Sequence, residues 1–376
     1  MHAPARGDPW GNPPWTIDYA PNGGRLPRGT DFAVIGGGFT GLAAAAWLRR
    51  TDPAKSVVVL EASHIGSGAS GRTGGMVLAE TAAGDAPGLG DVLSGLKDIL
   101  RKLEVECDLT LPGAWEVARA KKASRKSPID WNDSGRLGVT GEVPGGTLDP
   151  GKLVSGLARA AHRLGATIVE NHPVRSIEWR HPPVVRLDGT SLSANRILFA
   201  TNALSLEVSG LGEGFAPRLT FAVATEPLRE NRLESIGLAE RKPFYTSDLP
   251  YLWGRVREDN SVIWGSGLAS APGSRDLHRL KIDAEEPARL LASLEARVRR
   301  LHPELKGVRF THRWGGPILF RESWLPVFDW HPQSKSAIVL GAYAGHGVAL
   351  SSYLAAWAAE VLVGRRDLPP WGRIAG

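Results

Sequence analysis

One segment of about thirty residues restricts the fold more than any other. Asp31-Phe32-Ala33-Val34-Ile35 is a short apolar run suited to a buried strand. It meets Gly36-Gly37-Gly38-Phe39-Thr40-Gly41, and Leu42 through Arg50 follow, rich in alanine and leucine with arginines at the end. Those residues favour a helix whose C-terminus carries positive charge, and Thr51-Asp52-Pro53 stops it. Ser56-Val57-Val58-Val59-Leu60 is a second buried strand, ending at Glu61. The order strand, glycine turn, helix, strand is a βαβ unit, which commits the chain to a parallel sheet.

Within that unit Gly36-x-Gly38-x-x-Gly41 has the spacing of a dinucleotide-binding turn. The first glycine permits the tight turn and the second lets backbone approach a pyrophosphate. The third allows close packing of helix on strand, while the helix N-terminus offers free N–H groups. Glu61 stands where a carboxylate accepts hydrogen bonds from a ribose hydroxyl, and no arginine follows it to favour a 2′-phosphate.

Further along, Gly66-Ser67-Gly68-Ala69-Ser70-Gly71-Arg72-Thr73-Gly74-Gly75 holds five glycines in ten positions. Helices are predicted over 91–104, from Pro150 to Arg163, over 284–301 and over 348–363. Strands are predicted over 166–170, 195–200 and 337–340, with Val174–Trp179 and Val184–Leu187 as a small antiparallel pair. The basic run Arg119, Lys121, Lys122, Arg125 and Lys126 reads as a solvated face. Residues 1–29 lack periodicity and form an extended lead-in with Trp10 and Trp15 as anchors, or else a disordered tail.

Composition closes off other classes. The chain has 376 residues, 42% of them hydrophobic, and a net charge of only +6, so it is globular and long enough for two domains. Cys107 is the single cysteine, which excludes an intramolecular disulfide framework and multi-cysteine metal sites. No basic arm with interleaved aromatics supports nucleic-acid binding. No apolar run reaches the roughly 20 residues of a membrane span, and the first ten residues lack a secretory h-region. A cytoplasmic protein is expected.

The fingerprint alone does not separate FAD from NAD. An NAD enzyme would use a second Rossmann half at once, whereas here the chain leaves after Gly75 and returns near 195–203 and 337–363. Four stretches resemble one family: Val34–Ala44, Glu61–Met76, Leu198–Ala203 and Gly341–Val348, with weaker matches at Trp314-Gly315-Gly316 and Trp15–Gly29. They are similar to the FAD-dependent oxidoreductases of the D-amino-acid oxidase (DAO) superfamily, and within it to the gamma-glutamylputrescine oxidase-like amine oxidases.

The resemblance implies that Gly36, Gly38, Phe39, Thr40 and Gly41 hold the pyrophosphate, and Glu61, beside Ala62, the adenosine ribose. Ser70, Gly71, Arg72, Thr73, Gly74 and Gly75, leading into Met76, would run along the ribityl chain and flavin ring. Val174 would meet adenine, with Ala200 and Thr201 closing over the same end. Gly341, Gly345, His346, Gly347 and Val348 would bring the chain to the pyrimidine edge, with Trp314 and Gly315 nearby. The likeness also implies departures. Thr73 stands where the family often has asparagine, and Ala344 where it has serine or cysteine. Neither a tethering cysteine (Pro317–Ser323) nor an oxygen-assisting lysine (Val262-Ile263-Trp264) is present, which implies non-covalent FAD and leaves the electron acceptor as oxygen or another oxidant.

Independent chemistry points the same way. Hydride transfer from an amine gathers negative charge on one edge of the flavin, which a helix N-terminus headed by Gly345-His346-Gly347 would stabilise. His346 has two readings, a group beside the ring or a satisfied histidine whose backbone alone matters. Tyr251, Trp253 and Arg255 share one strand face by period 2 and, with Trp264, either wall a substrate or belong to the sheet. Arg321 and Tyr343 are further candidates.

The expected architecture is therefore α/β. A discontinuous Rossmann-type FAD-binding domain spans 30–76, 146–205 and 330–370, with a partial helical cap at 77–145. A second, mainly antiparallel β substrate domain spans 206–329. The expected activity is oxidation of a C–N bond of a small amine or amino acid. The alternatives are a glycine oxidase- or D-amino-acid dehydrogenase-like enzyme, an NAD-linked dehydrogenase, and a non-catalytic dinucleotide-binding scaffold.

Overall fold

The computed structural model describes residues 8–21, 25–119 and 127–374. The basic run expected at 119–127 lies outside these residues for 120–126; Arg119 itself donates its backbone N–H to Asp248 at 2.8 Å.

Strand Gly29–Ile35 sits at the centre of the first sheet, parallel to Val57–Leu60 on one side and Thr190–Phe199 on the other. Thr167–Val169 and Ser334–Gly341 extend it in parallel, and Val327–His331 closes one edge antiparallel. Ala33, Val34, Val57 and Val59 are buried from both faces, as a parallel sheet requires. The hairpin Ser176–Glu178 and Val184–Leu187 pairs onto the start of Thr190–Phe199.

Helix Phe39–Thr51 runs back over this sheet between helices Pro150–Arg163 and Gly347–Leu362. Ala43, Ala44, Ala45 and Ala46 are all buried, and their small side chains let three helices crowd together. Helix Val92–Leu103 packs on Gly347–Leu362. Asp91 and Asp149 cap Val92–Leu103 and Pro150–Arg163, accepting from Ser94 and Lys152 N–H at 2.9 and 2.8 Å.

The second sheet has eight strands in the order Phe310–Arg321, Phe215–Thr225, Val262–Ser270, Trp253–Val256, Phe244–Thr246, Ala114–Arg119, Arg136–Val143 and Trp131–Asn132. Every neighbouring pair is antiparallel except Phe244–Thr246 with Ala114–Arg119. Helix Glu285–Leu301 covers one face.

Two boundaries differ from the sequence expectation. Residues 77–145 do not make a helical cap. Among their described residues the one helix packs into the first layer, while Ala114–Arg119, Trp131–Asn132 and Arg136–Val143 complete the second sheet. The alternation of buried Trp115 and Val117 with the more exposed Glu116 and Ala118 is the physical reason, since that period suits a half-buried strand. The return to the first sheet comes at Val327 rather than 330.

The lead-in is anchored by its tryptophans. Trp10 is buried, donates its indole N–H to the Leu277 carbonyl at 3.1 Å and stacks on His278. Trp15 donates to the Gly71 carbonyl at 2.8 Å and meets Trp314 edge-on.

Candidate functional site

A cavity of about 890 Å³ lies between the carboxyl ends of strands Gly29–Ile35 and Val57–Leu60 and the open face of the second sheet. In open α/β sheets ligands sit at this end of the strands. The volume is in the upper part of the roughly 300–1,000 Å³ range of small-molecule and cofactor pockets.

At one end Glu61 accepts hydrogen bonds from the backbone N–H groups of Gly37 and Ser63, at 2.7 and 2.9 Å. Burial pushes its carboxyl above the usual range, and those two donors act against the rise. A carboxylate has about four acceptor positions, so capacity remains for a hydroxyl on the ligand. Ala62, Val174, Ala200 and Thr201 line the same end.

The glycine turn has the geometry its spacing implies. Gly36 has φ +113°, and a Cβ there would stand 2.6 Å from the Ala200 carbonyl oxygen. A Cβ on Gly38 would stand 2.7 Å from Ser70 Oγ, which accepts the Phe39 N–H at 2.9 Å. Both glycines, with Phe39 and Thr40, face the cavity. Gly41 does not. It lies against the Gly36 carbonyl and sets the separation of helix and strand.

Two of the helices packed on the first sheet start at this cavity, Phe39–Thr51 and Gly347–Leu362, and in neither does the N-cap residue's own side chain cap the helix, although Ser70 Oγ takes the Phe39 N–H of the first. Their first-turn amides are directed at the cavity end, where an uncapped helix suits a ligand's phosphate or developing negative charge. The turn before the second helix is held in a demanding conformation: Ala342, Ala344 and Gly345 have φ of +57°, +48° and +97°. Asn202 Oδ1 accepts the Ala342 N–H at 2.9 Å, and the Tyr343 and Thr40 hydroxyls lie 2.8 Å apart, which ties this turn to the first helix. Burial raises the Tyr343 phenol further from ionisation. His346 lines the cavity with Nδ1 unpartnered, and burial holds its imidazole below the usual range, which favours the neutral form. Ser351, one turn on, also lines the cavity and has a buried, unpartnered hydroxyl. Gly347 and Val348 complete this end.

The second glycine loop crosses between the two ends. Ser70, Arg72, Thr73, Gly74 and Met76 line the cavity, whereas Gly71 and Gly75 pack against the carbonyls of Gly66 and Leu148. The Arg72 guanidinium points away from the ligand space. It pairs with Asp8, donates to the carbonyls of Ser67 and Gly11 at 3.0 and 2.7 Å and lies over the Trp10 ring. Burial lowers its pKa to about 10. Trp314 lines the cavity and donates its indole N–H to the Arg72 carbonyl at 2.8 Å.

Not every expected residue reaches the cavity. Gly315 is held to the lead-in by its N–H on the Trp10 carbonyl, and Gly341 packs on Asn202. Trp253 and Tyr343 line the space, but Tyr251 precedes the strand Trp253–Val256 and stands at the rim, 47% exposed. Arg255 follows Trp253 on the same side yet ends behind the loop, its Nε donating to the Gly74 carbonyl. Trp264 pairs with Gly254, so it faces the opposite side, packed between Trp131 and Phe244. Arg321 lies over the Phe215 ring outside the cavity.

Sequence reasoning missed Glu80, Tyr245 and Ser351. Tyr245 is the cross-strand partner of Trp253 and shares its face. The pair Ser351-Ser352 inside an otherwise apolar helix was the signal for the third. No sequence pattern marks Glu80, which lies on a loop.

The family model described as DAO, FAD dependent oxidoreductase, matches residues 31–361. Gamma-glutamylputrescine oxidoreductase from Escherichia coli (strain K12) is 27% identical over 381 residues, covering 89% of this chain and 84% of that protein. A probable oxidoreductase, OrdL, from Haemophilus influenzae is 25% identical, covering 89% and 83%. Among solved structures, glycine oxidase from Geobacillus kaustophilus superposes with a TM-score of 0.70 at 20% identity, covering 91% of this chain and 96% of that one.

Proposed function

The chain belongs to the DAO family of FAD-dependent oxidoreductases, and from that premise we propose that it oxidises a carbon–nitrogen bond of a small amine or amino acid, with FAD held non-covalently. Membership removes the NAD-linked and scaffold readings. The observation that supports the reaction most is that the uncapped turn at Gly345–His346 and the Gly36–Glu61 turn border one continuous cavity.

The residues present fit the cofactor. Glu61 has spare acceptor capacity for a ribose, Gly36 and Gly38 present backbone to the cavity where a pyrophosphate would lie, and His346 and Ser351 carry unpartnered polar atoms at the far end. Cys107, the chain's one cysteine, does not line the cavity, which supports attachment without a cysteine tether. When bound, FAD would supply a two-electron acceptor for the hydride on the carbon next to nitrogen, and the resulting imine would be hydrolysed by water.

This chain's own residues supply placement and electrostatics. The first-turn amides after His346 favour negative charge at their end of the cavity. Burial of the His346 imidazole disfavours a competing positive charge there. Trp253 lies against both Gly74 and Gly265, where a Cβ on either would meet its ring, and so excludes water between the loop and the sheet. Hydride leaves the neutral form of the amine, so an amine that binds as an ammonium loses its proton before that step. Among the described residues no helix is long and apolar enough to cross a membrane, and a cytoplasmic location is part of the proposal.

Anaerobic mixing with a panel of amines and amino acids tests the reading. At least one member should bleach the flavin's visible absorbance, and readmitting air shows whether oxygen restores it. A panel with no bleaching at all overturns the reaction. A second expectation concerns the cofactor alone: Glu61→Ala should weaken FAD binding roughly 10- to 100-fold, the worth of a hydrogen bond to a charged group, measured by fluorescence titration of apoprotein.

A further inference from the structure

The end of the cavity away from Glu61 has a composition that selects among amines. Tyr245 and Trp253 are direct cross-strand partners, and both rings line it. Its mouth is framed by Leu249, Tyr251, Leu268 and Trp324, and these four are the large apolar side chains most exposed to solvent among the described residues. Gathered at one opening rather than scattered, they make an apolar entrance.

Charge is scarce in this space. Among the described lining residues the carboxylates and guanidinium are those of Glu61, Arg72 and Glu80, and no lysine is present. Glu61 is at the opposite end, bonded to two backbone amides. Arg72 is turned toward Asp8 and the lead-in. Glu80 is left as the one charged group facing a substrate, and no described side chain forms an ion pair with it.

Its position is fixed. Strand Met76–Leu78 pairs with Gly145–Thr147 on one side of it, and the Thr81–Gly84 turn follows, closed by reciprocal backbone bonds of 3.1 and 2.9 Å. Thr81 Oγ1 adds a third bond to the Gly84 carbonyl at 2.6 Å. Partial burial raises the Glu80 pKa, and the nearby carboxylates of Asp85 and Glu116 add to the rise. The field there favours a cation.

Resting on the function proposed above, we infer that the substrate is a cationic amine with an apolar or aromatic body and no carboxylate, and that Glu80 is the side chain that selects it. An ammonium group meets one carboxylate and two aromatic faces. A zwitterionic amino acid places its own carboxylate in a chamber whose described residues offer it no cation.

The test compares 2-phenylethylamine, D- and L-phenylalanine and 2-phenylethanol, which share one body and differ in charge. Binding to oxidised holoenzyme is followed by the change in flavin spectrum, and reduction by anaerobic bleaching. The amine should bind at least about 30-fold more tightly than either phenylalanine, the scale of a desolvated charge left unpaired. Glu80→Gln should weaken the amine about tenfold or more while leaving 2-phenylethanol binding and FAD content unchanged. Tighter binding of phenylalanine, no binding of the amine, or equal amine affinity in Glu80→Gln overturns the inference. Bleaching by amino acids and not by amines overturns it while leaving the proposed reaction intact. Glu80-dependent amine binding without bleaching by any compound does the reverse.

Discussion

Gly41→Val should yield a folded protein that purifies without FAD. A Cβ at this position would run into the backbone carbonyl of Gly36, and the Val34 side chain stands 3.2 Å from it. Backbone cannot rotate aside as a flexible side chain can, so helix Phe39–Thr51 must lift from strand Gly29–Ile35. Overpacking of this kind costs about 1–3 kcal/mol, which a domain of this size survives. The larger consequence falls on the ligand. Lifting the helix moves its N-terminus and the Gly36–Gly38 backbone away from the phosphates together. Loss of more than 100-fold in FAD affinity is expected, since several hydrogen bonds near a charge fail at once, each worth roughly 1.5–3 kcal/mol. The ratio of visible to ultraviolet absorbance measures it, with circular dichroism as the control for folding. A variant as yellow as the parent would show that the third glycine does not set this spacing.

The second large effect is structural. Arg72→Met should lower thermal stability and loosen the cofactor, although the guanidinium it removes points away from the cavity. The guanidinium is buried, pairs with Asp8, bonds to the Ser67 and Gly11 carbonyls and lies over Trp10. It is therefore the clamp between the lead-in and the second glycine loop. Breaking a buried pair costs about 3–5 kcal/mol, and Asp8 is partly exposed, which places this one near the lower figure. A fall of roughly 5 °C or more in the unfolding midpoint follows. FAD release on heating should move down with it. Asp8→Asn should shift both in the same direction by less, because the carbonyl partners of Arg72 remain. Unchanged melting in Arg72→Met would make the lead-in an ornament of the fold rather than a part of it.

The sequence exposed what is local. Spacing of three glycines, a following alanine-rich helix and an acid at the next strand's end lie within thirty residues, and the structure reproduces that unit to within three residues at each boundary. Strong helix signals behaved likewise: 284–301 is Glu285–Leu301 and 348–363 is Gly347–Leu362. Non-local pairing was hidden. Ala114–Arg119 joins Phe244–Thr246, more than a hundred residues away, and nothing near residue 114 announces that partner. Face assignment failed for the same reason. Alternation shows that Trp253 and Arg255 share a side, but only register shows that Gly265, and not Trp264, stands opposite Trp253. Tyr251 fell outside the strand altogether. Arg255 reached the correct side and was drawn to the Gly74 carbonyl rather than to open space, a competition between buried acceptors that composition does not reveal. Glu80 belongs to a loop, where a carboxylate in sequence looks like any solvated one.

The central claim is that one cavity, bordered by Gly36–Glu61 at one end and by Gly345–His346 at the other, holds a flavin dinucleotide. The cofactor released from purified protein by heat denaturation measures this directly. About one FAD per chain, recovered in the supernatant and leaving the pellet colourless, is the expected result. A colourless protein that takes up no FAD on prolonged incubation would contradict it.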